Sequence, residues 1–331
     1  MKLRDLANEL GLSPTTVSRA LNDYPEVSDR TRRLVKQAAT RWGYRPSATA
    51  RGLAVGRIGV TAVIVPKEPA SYFDPDITEF LAGIAEVLGG VGQDILLIQS
   101  APASGLDVCK DVIESGRADA IVICHPRSDD ERIRFLAEAN FPFVVYGKSR
   151  TPVPHTWVDI DHRQAGFRSA MYLFESGHQK IGAIEGPGQF AFVEERIAGL
   201  TSAFDQFAAR VDPNCIVKDT FSDRAGYEHT RRLLNDASPP TAFVYGSLLS
   251  TIGGIRAIRE LDAEDSTAVV THDNAVPYLN ARNILCEVTV TSFSIYAVAQ
   301  RVAQHAIRMM DRNAAIETEL WEPQLISVGE P

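Results

Sequence analysis

From Gly59 onward, apolar runs of strand length alternate with helix-length amphipathic segments, and the alternation runs its course and then restarts. The first series contains "GVTAVIV", "ITEFLAGIAEVLGGVG", "DILLIQ", "LDVCKDVIESG", "ADAIVIC", "DERIRFLAEAN" and "PFVVYG". The second runs from "AGFRSAMYLFESG" and "KIGAIEG" through "TAFVYG", "SLLSTIGGIRAIRELD" and "TAVVTHD" to "ILCEVTVTSF". Apolar runs without polar alternation belong to strands buried on both faces, and the helices between them supply βαβ crossovers. Two such series predict two α/β lobes. A ligand cleft is expected beyond the carboxyl ends of their strands.

The body lacks the signatures of several chemistries. It has no GxxxxGK[ST] phosphate loop, no GxGxxG opening a helix after a strand, no G-x-S-x-G elbow and no HExxH helix. "GPGQFA" after "KIGAIE" reads as a pocket loop without phosphate-binding logic. His125 and His272 each follow a strand-like run, where a histidine is a cleft wall more often than a general base. No catalytic residue, cofactor or metal ligand is assigned. The four cysteines, Cys109, Cys124, Cys215 and Cys286, form no CxxC pair and are expected to be reduced and packed. No run approaches the roughly 18 apolar residues of a spanning helix. The charged, amphipathic "MKLRDLANEL" lacks a secretory core. The expectation is a cytoplasmic protein without a membrane partner.

Charge divides the chain unevenly. The net charge of −8 is the sum of +6 over residues 1–57 and −14 over the rest. A basic head on an acidic body points to a polyanion partner for the head alone. In that head, Leu3, Leu6, Ala7 and Leu10 repeat at helical spacing, and Gly11 can end the helix at positive φ. Ser13 then caps a second helix with Pro14 at its first position, where a missing N–H costs nothing. Val17, Ala20 and Leu21 face inward. A third helix is predicted from Ser28 to about Trp42, with Val35, Ala38, Ala39 and Trp42 as its apolar stripe and Gly43 closing it. This is a helix-turn-helix arrangement, whose second helix enters the major groove.

The wording "GLSPTTVSRALN" and its continuation through "RPSATARGL" resembles the N-terminal signature of the LacI/GalR family of bacterial repressors across residues 2–57. The resemblance implies that Pro14, Thr15 and Arg19 read base edges, Arg19 by bidentate bonds to guanine. Thr16, Ser18 and Asn22, with Ser13 beside them, match positions that grip phosphates. Pro14 replaces a polar residue often found there and offers van der Waals contact only. "YRPSATARGLAVGRIG" (44–59) matches the family's hinge helix, with Leu53 as the leucine wedged between base pairs in the minor groove and Arg51 on a flanking phosphate. Gly52 and a length of about eight residues argue against a helix that is stable alone, so the segment is expected to fold at the operator.

The body is similar to the family's effector domain, which resembles a periplasmic sugar-binding protein. "VDIDHRQAG" (158–166), "TSFS" (291–294) and "LWEPQLISV" match its three inter-lobe crossings, and "VVTHDN" (269–274) its Gly-Phe-Asp-Asp segment. The implied organisation is a DNA-binding head (1–46), a hinge (47–57) and a two-lobed effector and dimerisation domain (58–331). Its N-lobe takes about 58–160 and 293–320, its C-lobe about 161–292 and 321–331. By the same resemblance Arg196 and Asp273 contact effector, donor against acceptor. His125 and Ser247, the latter in place of a usual Asn, complete the cleft set. Where the family often shows Asn-Pro-Phe-Phe, this chain has Asp74-Pro75-Asp76-Ile77. Asp76 is either a hydroxyl acceptor in the cleft or a cap of the following helix, and Phe73 or Tyr72 is a stacking platform for a pyranose. Extra carboxylates favour a neutral sugar or glycoside over a phosphorylated one.

The family mechanism is a homodimer on a near-palindromic operator of double-stranded DNA, switched as effector binding moves one lobe against the other. No heptad tail follows the third crossing, so a dimer is expected. The rival readings are a sugar-binding or sugar-processing protein without a DNA role.

Overall fold

The computed structural model describes residues 3–21, 24–44, 57–67, 75–101, 104–277, 288–311 and 313–326. The chain divides into two units, Met1–Gly59 and Val60–Pro331.

In the first unit, α1 (Leu3–Leu10), α2 (Pro14–Leu21) and α3 (Asp29–Arg41) pack around Leu6, Val17 and Val35, each wholly buried. Burying a side chain of this size contributes about 1.5–3 kcal/mol. Gly11 and Gly43 each take a φ of 62°, ending α1 and α3 in the left-handed region where a Cβ is strained. Ser13 Oγ accepts from Thr16 N at 3.0 Å, and Ser28 Oγ from Thr31 N at 3.2 Å. Each thereby satisfies an N–H that a helix start leaves open. Arg32 donates to the carbonyls of Tyr24 and Val27 at 3.0 and 3.1 Å, tying down the entry to α3. Trp42 departs from the predicted stripe. It follows the last helical residue and is 40% exposed, because the bundle is already filled by Val35 and Ala39 on the same helix.

The second unit contains two six-stranded sheets. The first uses β1 (Val60–Pro66), β2 (Asp94–Ser100), β3 (Ala120–Cys124), β4 (Phe143–Tyr146), β5 (Trp157–Ile160) and β11 (Thr318–Trp321). Its order is β11-β5-β4-β3-β1-β2, and every pairing is parallel. The second uses β6 (Ile181–Glu185), β7 (Ile216–Lys218), β8 (Ala242–Tyr245), β9 (Ala268–Asp273), β10 (Thr289–Ser292) and β12 (Gln324–Ile326). It is parallel except where β12 runs against β10. β3, β4, β6 and β8 are buried along their whole lengths, as strands covered on both faces must be.

Helices cover each sheet. On one face of the first sheet, α4 (Pro75–Gly90) and α11 (Ile295–Met309) bury Phe80, Ile84, Leu88, Val298 and Val302. On the other, α5 (Gly105–Glu114) and α6 (Glu131–Glu138) bury Val112, Ile133 and Leu136. In the second lobe α7 (His162–Glu175) and α8 (Ala191–Gln206) cover one face, and α9 (Asp223–Leu234) and α10 (Leu248–Glu260) cover the other. The chain passes between the sheets after β5, after β10 and after β11. Cys109, Cys124 and Cys215 are free, buried thiols, and burial pushes Cys109 up to about 11 and Cys124 up to about 12. Cys286 lies outside the described residues. Among these, no helix is long and apolar enough to cross a membrane.

Candidate effector cleft and DNA-facing helix

The carboxyl ends of parallel strands from both sheets converge on a cavity of about 110 Å³, several times the space one water needs. From the first sheet come His125 just beyond β3, Tyr146 ending β4 and Asp159 in β5. From the second come Gly246 and Ser247 beyond β8, and His272, Asp273 and Asn274 at the end of β9. Helices add Asp76, Phe80, His162, Phe192 and Arg196.

Arg196 is fixed by the backbone that carries it. A Cβ on Gly166 of α7 would lie 2.1 Å from the Arg196 carbonyl oxygen, and one on Gly199 of α8 would lie 1.8 Å from that of Arg163. Only glycine at both positions lets the two helices meet, and their meeting sets where the guanidinium points. Arg196 is 4% exposed. Its Nη1 donates to Gly246 O at 2.8 Å, and its Nε donates to His162 Nδ1 at 3.2 Å. Nη1 also lies 3.6 Å from Glu185 Oε2, and Cζ sits 5.2 Å from the Phe192 ring centre. Because His162 Nδ1 accepts, its proton belongs on Nε2, which faces Asp159 Oδ1 at 3.4 Å.

Beneath Arg196 lies Glu185, 3% exposed at the end of β6. Burial alone would raise its pKa, but His272 and Arg196 outweigh burial and hold the carboxyl below its ordinary value. His272 pairs through Nδ1 with Thr291 Oγ1, while its Nε2 stands 3.7 Å from Glu185 Oε1. Burial, with Arg196 adding repulsion, pushes His272 down to about 4. Asp273 accepts from Ala275 N at 2.8 Å. Asp159 accepts from Lys148 N and Ile160 N, both at 2.8 Å. Asp76 stands in the first turn of α4 and also accepts from Asn274 Nδ2 across the cleft.

Aromatic rings supply the apolar walls. Phe192 stands 5.2 Å from His125, 5.3 Å from His162 and 6.0 Å from Phe221, ring centre to ring centre. Phe80 stacks on Tyr146 at 4.7 Å. His125 has a φ of 49°, in the left-handed region, and burial, with His162, Arg132 and Arg196 adding repulsion, pushes its pKa down to about 4.

Five of the six cleft residues proposed from sequence, Asp76, His125, Arg196, Ser247 and Asp273, therefore line one cavity, and Phe73 lies outside the described residues. Ser247 is in addition the N-cap of α10, accepting from Ser250 N at 3.2 Å. Sequence reasoning missed Asp159, His162, Phe192 and Glu185. For Glu185 the signal was present: it is the single charged residue in the otherwise apolar "IGAIEG". Elsewhere His305, Glu317 and Glu319 have metal-ligand spacing, but Arg308 pairs with Glu317 and Arg301 with Glu319 at 2.6 Å. That trio is an ion-pair cluster, in which Arg301 lowers Glu319 to about 2.

In the first unit, α2 turns Val17 and Ala20 inward and leaves Pro14, Thr15 and Arg19 exposed, with Thr16 and Ser18 half-buried. Ser13 is exposed, and its hydroxyl pairs with that of Thr16 at 2.9 Å. Asn22, Arg51 and Leu53 lie outside the described residues.

Comparison with known proteins covers both units. Residues 2–47 match the family described as "Bacterial regulatory proteins, lacI family". Residues 59–310 match "Periplasmic binding proteins and sugar binding domain of LacI family". The HTH-type transcriptional regulator AglR of Rhizobium meliloti (strain 1021) is 34% identical over 330 residues, 98% of this chain and 93% of that protein. A Lac repressor dimer bound to operator and the anti-inducer ONPF shares the fold with a TM-score of 0.83 at 21% identity, over 99% of this chain and 98% of that one. The complex of the regulator CelR with cellobiose gives 0.72 at 23% identity, over 98% of each chain. The rival readings, a sugar-binding or sugar-processing protein without a DNA-binding head, do not account for this end-to-end match. A helix-turn-helix head, a two-lobed cleft and a regulator alike over almost its whole length place this chain in the lacI family of bacterial transcriptional regulators, and it is not an enzyme.

Proposed function

We propose that this regulator is a cytoplasmic repressor of a carbohydrate uptake or catabolism operon, controlled by a neutral sugar or glycoside bound between its lobes. The observation that carries this reading is the cleft itself. A guanidinium and a carboxylate, Arg196 and Asp273, share one cavity with the ring of Phe192. Hydroxyls need donors and acceptors together, and the C–H faces of a pyranose need an apolar platform. The carboxylates of Asp76 and Asp159 disfavour an anionic ligand. The CelR structure, which holds cellobiose, lends support.

On DNA, the protein acts as a homodimer on a near-palindromic operator. Pro14, Thr15 and Arg19 read bases, Leu53 wedges into the minor groove, and Ser13, Thr16, Ser18, Asn22 and Arg51 hold phosphates. His125 and Ser247 join Arg196, Asp273, Asp76 and Phe73 around the sugar. Effector acts by binding the DNA-competent and incompetent states with different affinity.

Fluorescence anisotropy with DNA from upstream of the protein's own gene, with and without neutral sugars, tests both parts. The expected result is binding that weakens steeply with salt and shifts with at least one neutral sugar. Absence of salt-sensitive binding overturns the regulator mechanism. Calorimetry in which sugar phosphates bind and neutral sugars do not overturns the effector class.

A further inference from the structure

Among the described residues lining the cavity, Arg196 is the one permanent cation, facing the carboxylates of Asp76, Asp159 and Asp273. An unpaired guanidinium in a buried cleft would attract a carboxylate or phosphate on a ligand. Here that charge is already answered from below. Glu185 Oε2 lies 3.6 Å from Arg196 Nη1, and no hydrogen bond reaches this buried oxygen from the described residues. That oxygen is therefore not spent on backbone donors, and the carboxylate faces Arg196 and also His272, whose Nε2 is 3.7 Å from Oε1. Glu185 is not among the residues that line the cavity.

We propose that Glu185 sets the charge selectivity of the cleft by holding Arg196 as half of an ion pair, which leaves the guanidinium a hydrogen-bond donor to neutral hydroxyls and denies it to anionic sugars. The inference rests on the cleft being a sugar site. It differs from a purely structural role in what it predicts. A buried pair that only braced α8 would, when broken, weaken all ligands alike. A pair that sets selectivity changes the ratio between neutral and anionic ligands.

The test uses the full chain and matched pairs of probes in calorimetry: glucose with glucuronate, galactose with galacturonate, cellobiose with cellobionate, and lactose with lactobionate. The wild-type protein should bind a neutral member at least about tenfold more tightly than its anionic mate, the scale of one charge-assisted contact. In Glu185→Gln the isosteric amide removes the charge, and the anionic-to-neutral affinity ratio should rise about tenfold or more. A folded Glu185→Gln protein with an unchanged ratio overturns the proposal and leaves the sugar reading standing. Should that variant fail to fold, Glu185→Asp decides, since it keeps the charge but draws it back by one methylene. A ratio that rises by about threefold supports the proposal, and no rise overturns it. If the wild-type chain binds none of the neutral probes but Glu185→Gln acquires an anion, the neutral-sugar reading fails and the role of Glu185 stands. If neither protein binds any probe, both fail.

Discussion

The recognition helix and the cleft place functional side chains under opposite conditions. On α2, Arg19 and Thr15 are exposed, and the fold of the head is held by other residues, Leu6, Val17 and Val35. In the cleft, Arg196, Asp273 and His272 are at most 5% exposed and bonded to the scaffold. A surface site is free to change without touching the fold. A buried site is part of the fold, and its chemistry is set by its neighbours as much as by its own atoms.

Removing Arg196 separates the two conditions most sharply. Arg196→Met leaves Glu185 buried without its partner, a change that costs about 3–5 kcal/mol when one half of a buried ion pair is removed. Chemical denaturation should show that loss in the body, together with loss of the effector response. A loss below about 1 kcal/mol would mean that the pair is no more than a surface-grade contact. Acid should act next. The folded pKa of His272 is about 4, below the ordinary value of 6.5, so the unfolded chain binds more protons between these limits. Its contribution is complete above about pH 6.5 and is lost as pH falls toward 4, at up to about 1.4 kcal/mol per pH unit. Glu185, held below its ordinary value, loses stability in the same direction as it protonates. The first 57 residues contain no histidine, so hydrogen exchange compared at pH 7 and 5 should show the body loosening while the head holds. Equal loosening of both would erase the contrast. Smallest in stability is Arg19→Ala, expected within about 0.5 kcal/mol of the parent. Its operator affinity should nonetheless fall by about 1–3 kcal/mol with sugar affinity unchanged. An Arg19→Ala protein that binds operator normally would remove the base-reading role.

The same contrast explains what could be read in advance. Ser13-Pro14 and Gly11 are local devices whose geometry depends on a few neighbouring residues, and each does in the structure what its spacing predicts. The two α/β series were visible because strands buried on both faces need uninterrupted apolar runs. Trp42 misled because a helical stripe continues past the point where the bundle is full. Glu185 and His162 escaped because both depend on Arg196, which stands on a different element, α8, and 34 residues beyond His162. Nothing in "IGAIEG" says which cation lies above its glutamate. Arg196 and Asp273 were named through family resemblance, and their geometry shows what resemblance did not: the arginine arrives in the cleft already paired.

The close crossing of α7 and α8, made at Gly166 and Gly199, bears on how such a cleft can change its ligand over generations. Each glycine is required by the other helix, so replacing either alone forces α7 and α8 apart and carries Arg196 with them. The position of the guanidinium is thus inherited as a block that single substitutions cannot shift gently. Variation in ligand preference is left to the parts not bound into that crossing. These are the ring of Phe192 and the charge of Asp76 at the head of α4, together with the glutamate beneath the arginine.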